Sequence, residues 1–136
     1  MIVADTNLLI YLYVAGERTA QAEAVLRRDP IWVAPLLWRS EFRNALLGLI
    51  RRQVLTLADA AQIIQEAESH MAGHEYSVVS GEVLALAEQS GCSSYDCEYI
   101  SLAIHLNTPL VTADQQLCTA FPKIAVQPER FLRAPR

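Results

Sequence analysis

A chain of 136 residues that is 52% hydrophobic, with five glycines and six prolines, has the composition of one folded domain rather than a disordered or low-complexity segment. Its formal charge of −4 argues against a broad basic surface for gripping nucleic acid, and the uncharged run 6–16 is too short to span a bilayer. Cys92, Cys97 and Cys118 form no C-x-x-C pair, so neither a disulfide framework nor a zinc site is expected, but three buried, reduced thiols in a cytosolic protein.

The chain opens with "MIVA" at 1–4, short, apolar and partly β-branched, which reads as a strand covered on both faces. Asp5 follows it directly and is able to cap a helix beginning at Thr6. Helical spacing at 17–28 leads to a second strand, "IWVA" at 31–34. Helical patterns over 36–52 and 57–72 precede "EYSVV" at 75–79, a weaker strand candidate. Two more helical segments, 80–90 and 94–106, lead to the strand "PLVT" at 109–112. Asp114 is placed to cap a helix around "QQLCTAF". A last strand near 123–126 and a peripheral tail at 128–136 finish the chain. Strands alternating with helices imply parallel crossovers. The expected fold is a single α/β domain over 1–136, a three-layer sandwich with a central, mainly parallel sheet of four or five strands.

In such a sheet, ligands bind beyond the carboxyl ends of the strands, where Asp5 and Asp114 both fall. Asp96, three residues after Ser93, also fits a capping pattern. Glu41 lies inside the 36–52 helix and shares a face with Trp38, Ala45 and Gly48, away from Arg39 and Arg43. Its ordinary explanation is an ion pair with an arginine elsewhere. If Asp5, Glu41, Asp96 and Asp114 converge, their repulsion calls for a cation, and oxygen donors suit Mg²⁺ or Mn²⁺. Metal-assisted attack on a phosphodiester is the chemistry such a site serves.

The segments "MIVADTNLLIYL", "LLWRSEFRNALLGLIRR" and "SSYDCEYISLAIHLNTPLVTADQQL" resemble, in order, the signature stretches of the PIN-domain family. The small size is similar to that of the VapC toxins of bacterial and archaeal toxin–antitoxin pairs. The resemblance implies a PIN-like fold and a Mg²⁺- or Mn²⁺-dependent endoribonuclease. Its acidic cluster maps to Asp5, Glu41, Asp96 and Asp114, with Asn7 and Thr112 as polar residues that orient the acids. It further implies a homodimer, an RNA substrate such as transfer RNA, and a cognate antitoxin that silences the enzyme. Gln116 stands where many relatives carry a charged residue.

The other polar residues are weaker signals. His70 and His74 have the i, i+4 spacing of a zinc pair without H-E-x-x-H around them, and with His105 they read as helix-end residues. Trp32 and Trp38 read as core or interface aromatics. Arg39 and Arg43 are candidate contacts for RNA phosphate or antitoxin carboxylates, against plain solvation. Two rival functions are a phosphoacceptor signalling domain, disfavoured by the lone Lys123 and by the lack of an Asp after "IWVA", and a catalytically silent interaction module whose acids are only caps.

Overall fold

In the computed structural model, which describes residues 1–135, the first strand β1 (Ile2–Ala4) is buried along its whole length. An apolar run covered on both faces suits a central parallel strand. β2 (Trp32–Pro35) and β4 (Leu110–Val111) flank it, with Val3 in register with both Val33 and Leu110. β3 (Glu75–Tyr76) and β5 (Ala125–Val126) complete a five-stranded sheet of order β3-β2-β1-β4-β5, parallel at every pairing. The strand expected at 75–79 stops after two residues. Val79 takes an extended backbone at the N-cap of the next helix, so the apolar pair Val78 and Val79 serves that entry rather than the ladder.

Parallel neighbours need crossovers, and helices supply them. α1 (Thr6–Tyr13) and α2 (Thr19–Arg28) link β1 to β2, and α3 (Trp38–Arg51) and α4 (Leu57–Met71) link β2 to β3. α5 (Ser80–Ser90) and α6 (Ser94–Leu106) carry the chain back across the sheet to β4. α7 (Gln115–Ala120) leads to β5, and α8 (Pro128–Arg133) follows it. α6 packs on β1, β2 and β4 with α5 beside it, whereas α1, α3 and α4 pack together on the opposite face, as right-handed crossovers require. The three layers match the expectation. Local signals account for the helix starts: Thr56 and Asp59 form a reciprocal capping box on α4, and Ser93 caps α6.

Trp32, Trp38, Phe42 and Tyr99 are the largest buried side chains, so both tryptophans belong to the core. Cys92 and Cys97 are buried free thiols, but Cys118 is only partly buried, because short α7 sits at the side of the sheet. α8 packs on α2, where the Arg28 guanidinium lies 5.3 Å from the Phe131 ring centre and donates to the Leu132 carbonyl at 2.8 Å. Arg136 lies outside the described residues. No helix among the described residues is long and apolar enough to cross a membrane.

Candidate active site

The strand order reverses direction at β1 and β4: β2 and β3 extend to one side of that pair, β5 to the other. Such a reversal opens a crevice at the carboxyl ends of the two strands. Asp5 leaves β1 there, and Thr112, Ala113 and Asp114 leave β4 beside it.

Asp5 is the N-cap of α1, its Oδ1 accepting from the Thr6 N–H at 2.7 Å, so the capping reading is correct. It is not sufficient. Oδ2 accepts from the Thr112 hydroxyl at 2.5 Å, a contact that no cap requires. Burial raises the Asp5 pKa to about 6, with the charges of Glu41 and Asp96 adding to the rise, although the bonds from Thr112 and Thr6 oppose it. Thr112 is fully buried and also accepts from the Asp114 N–H at 3.0 Å, tying the two strand-end acids together. Asp114 in turn caps α7, its Oδ1 accepting from the N–H groups of Gln116 and Leu117 at 2.9 and 3.2 Å.

Asp96 stands in the first turn of α6, its N–H donating to Ser93 Oγ at 3.1 Å. Its pKa is raised by burial and then by the charges of Asp114 and Glu41, opposed by a hydrogen bond between its side chain and that of Ser93. Glu41 falls in the first turn of α3, nearer the helix start than its sequence position implied. Among the described residues no arginine pairs with it, unlike the ordinary explanation. The hydroxyls of Thr6 and Tyr99 donate to its Oε1 at 2.9 and 2.6 Å. The charges of Glu41 and Asp96 thus act on Asp5, and those of Asp114 and Glu41 act on Asp96.

Among the described residues, no three acidic, histidine or cysteine side chains stand close enough to enclose an ion as placed. The chemistry of the donor set fits a hard divalent cation: every donor is an oxygen, and Asp5 and Asp96 are held in an environment that disfavours their negative charge.

Thr6 and Tyr99 were not singled out from sequence, and neither was Glu98, whose pKa is raised by burial and by Glu41. Tyr99 lies one turn beyond Asp96, a spacing that signals a shared helix face. Asn7 is exposed on α1, and the hydrogen bonds to Asp5 and Glu41 come from Thr6, Thr112 and Tyr99 instead. Arg39 is neither free nor simply solvated. Its Nε and one terminal nitrogen grip both oxygens of Glu75 at 2.6 and 2.8 Å, and the other reaches Glu68 at 3.0 Å. Arg43 is exposed. The Nδ1 atoms of His70 and His74 are engaged separately, by the Tyr13 hydroxyl and the Trp32 carbonyl. His105 lies in the last turn of α6, 3.4 Å from Glu82.

Residues 2–124 match the family described as PIN domain. Ribonuclease VapC3 of Pyrobaculum aerophilum is 30% identical over 126 residues, covering 90% of this chain and 96% of that protein. The crystal structure of PAE2754 from Pyrobaculum aerophilum is similar with a TM-score of 0.76 and 22% identity, over 96% of this chain and 85% of that one. A toxin–antitoxin complex from Klebsiella pneumoniae is similar with a TM-score of 0.69 and 20% identity, over 94% and 98% of the two chains. With the match running through α3 and α6, which carry Glu41 and Asp96, and through β1 and β4, which lead into Asp5 and Asp114, the chain belongs to the PIN-domain family and is a homologue of a VapC ribonuclease.

Proposed function

We propose that this protein is a Mg²⁺- or Mn²⁺-dependent endoribonuclease, the toxin of a type II toxin–antitoxin pair, working in the cytoplasm as a homodimer on structured RNA such as transfer RNA. The observation that carries this reading is the electrostatic coupling of Asp5, Glu41, Asp96 and Asp114 at the β1–β4 switch, with Asp5 raised to about 6. Anions gathered at a strand-end crevice, with no ion pair to a basic side chain among the described residues, are a poor stability device and a good cation site.

Asp5, Asp96 and Asp114, with Glu41, would hold the ion. When bound, it supplies charge to neutralise phosphate oxygens and acidity to a water. The chain's own groups prepare that role. Thr112 and the Thr6 N–H fix the Asp5 carboxylate, and each of its oxygens accepts one protein hydrogen bond and keeps a lone pair. Asp114 uses Oδ1 for the α7 cap, which leaves Oδ2 for a ligand. An antitoxin segment is proposed to silence the site by offering an arginine or lysine to the same carboxylates, and exposed Arg43 is the remaining arginine candidate for an RNA phosphate or an antitoxin carboxylate. Arg39, committed to Glu75 and Glu68, serves the fold.

The silent-module alternative draws on the caps at Asp5 and Asp114, but capping gives no reason for Glu41 to lie beside Asp5 and Asp96. The phosphoacceptor alternative needs a lysine near the acids, whereas Lys123 precedes β5 at the amino edge of the sheet. The deciding experiment is digestion of total RNA by wild type and Asp5→Asn, in Mn²⁺ and in chelator. Cleavage confined to wild type with metal supports the proposal, and equal cleavage by both proteins overturns it.

A further inference from the structure

We propose that Tyr99 is a positioning residue for Glu41: with Thr6 it pins one carboxylate oxygen by neutral hydroxyls, which orient the anion without cancelling its charge. The inference rests on the ribonuclease reading and assigns a role to a side chain which that reading leaves unused.

Three oxygens form a triangle at mutual hydrogen-bonding distance, and the two hydroxyl protons fill two of its three edges, with Tyr99 donating to Glu41. The Tyr99 hydroxyl is 2.6 Å from Glu41 Oε1 and 2.6 Å from Thr6 Oγ1, and Thr6 Oγ1 is 2.9 Å from the same Glu41 oxygen. The three corners come from α6, α3 and α1, and both hydroxyl-bearing residues are buried. A phenylalanine would fill the same volume beside the sheet. A tyrosine there brings a polar group into the core, which is costly unless it finds a partner, and its partner is a carboxylate, the acceptor that makes the stronger class of hydrogen bond.

What the triangle lacks is equally informative. Among the described residues Glu41 forms no ion pair, and its Oε2 takes no hydrogen bond. An arginine at the position of Tyr99 would hold Glu41 as firmly but would neutralise it and compete with a metal ion for it. Two hydroxyls fix the direction of the carboxylate and leave the negative charge for a cation. The triangle also joins Glu41 to the other acids. The Thr6 N–H holds Asp5 while its side chain holds Glu41, and α6 carries Asp96 one turn before Tyr99. The mutual placement of three acids therefore passes through Thr6 and Tyr99.

The test compares wild type, Tyr99→Phe, Glu41→Gln and the double variant by Mn²⁺ titration calorimetry, by melting in chelator, and by kcat and KM for RNA cleavage. Tyr99→Phe should lower kcat about tenfold or more with KM little changed, weaken Mn²⁺ binding, and move the chelator melting temperature by only a few degrees. In the Glu41→Gln background the same substitution should cause no further loss of Mn²⁺ affinity. Wild-type kcat and Mn²⁺ affinity in Tyr99→Phe would overturn the proposal, as would an equal loss of affinity in both backgrounds. Should Tyr99→Phe fail to fold, Thr6→Val removes the other hydroxyl and is held to the same outcomes. Wild type that binds Mn²⁺ without cutting RNA would sink only the ribonuclease reading, with the calorimetric comparison still deciding the role of Tyr99. Wild type that neither binds Mn²⁺ nor cuts RNA would overturn both.

Discussion

The Thr112 hydroxyl donates to Asp5 Oδ2 at 2.5 Å, joining residues 107 apart in sequence at the ends of two neighbouring strands. That bond lowers the pKa of Asp5 against the upward pull of burial. In Thr112→Val the shape is kept and the donor is lost, so the Asp5 pKa should climb further above its value of about 6. The expected result is an ascending limb of the pH–rate profile displaced to higher pH, with a stability loss of about 1–3 kcal/mol for the weakened buried acceptor. Rate profiles and thermal melts of the variant check both, and an unmoved limb would mean that Asp5 is not the group titrating in catalysis.

Asp114 has two roles that different substitutions separate. Asparagine keeps an oxygen to accept from the Gln116 and Leu117 N–H groups, whereas alanine does not. Asp114→Asn should melt close to wild type and Asp114→Ala should lose about 1 kcal/mol, while both lose RNA cleavage. Retained cleavage in Asp114→Ala would reduce this residue to a cap.

Arg39 links α3 to Glu75 on β3 and Glu68 on α4, and Glu75 also accepts from the Trp38 indole N–H at 2.8 Å. The Glu75 pKa is held below the usual range, first by its hydrogen bond from Arg39. Arg39→Ala should therefore cost about 1–2 kcal/mol, a figure reduced for the partial exposure of the guanidinium. Arg39→Lys should recover only part of this, because an ammonium cannot grip both Glu75 oxygens in a fork. Cleavage rates of the folded variants should match wild type, and a large loss of rate without a loss of stability would restore Arg39 as a substrate contact.

The contrast between Asp5 and Tyr99 marks what sequence made legible. Asp5 and Asp114 follow apolar strands, and the rule that parallel sheets bind ligands at their carboxyl ends places such residues without further knowledge. Most helix limits were likewise local, as at Ser93, whose hydroxyl starts α6 where expected. Tyr99 sits on a face of α6 among Ile100, Leu102 and Ala103, all buried, and its spacing does not separate a packing aromatic from one that holds a carboxylate. Its partners lie 58 and 93 residues away. The ion pairs of Arg39 were hidden for the same reason: Glu75 and Glu68 reach it only after α4 has folded back along α3. Short elements were the other weak point. β3 is two residues long because it pairs only with Ala34 and Pro35 at the outer side of the sheet.

Asp5 has an unfolded pKa near 3.8 and a folded value of about 6, raised chiefly by burial, and Asp96 is raised as well by burial and by Asp114. A carboxylic acid whose folded pKa is raised favours the fold while protonated. Its contribution is complete below the unfolded value and is lost as pH rises through the folded one. The metal-free protein should therefore lose stability between about pH 4 and about pH 7, by on the order of 2–3 kcal/mol for Asp5. Mn²⁺ binds the folded cluster and not the unfolded chain, so a hundredfold excess over its dissociation constant should restore about 2.7 kcal/mol. The metal-induced rise in melting temperature should be small near pH 5 and large near about pH 7.5, as the acids give up their protons. Both the pH trend in chelator and the metal effect should shrink in Asp5→Asn and Asp96→Asn, since an amide neither titrates nor supplies charge to the ion. Melting curves across this range, with chelator or with Mn²⁺, give the answer. A metal shift that ignores pH and survives both substitutions would leave Asp5 a helix cap and place the cation elsewhere.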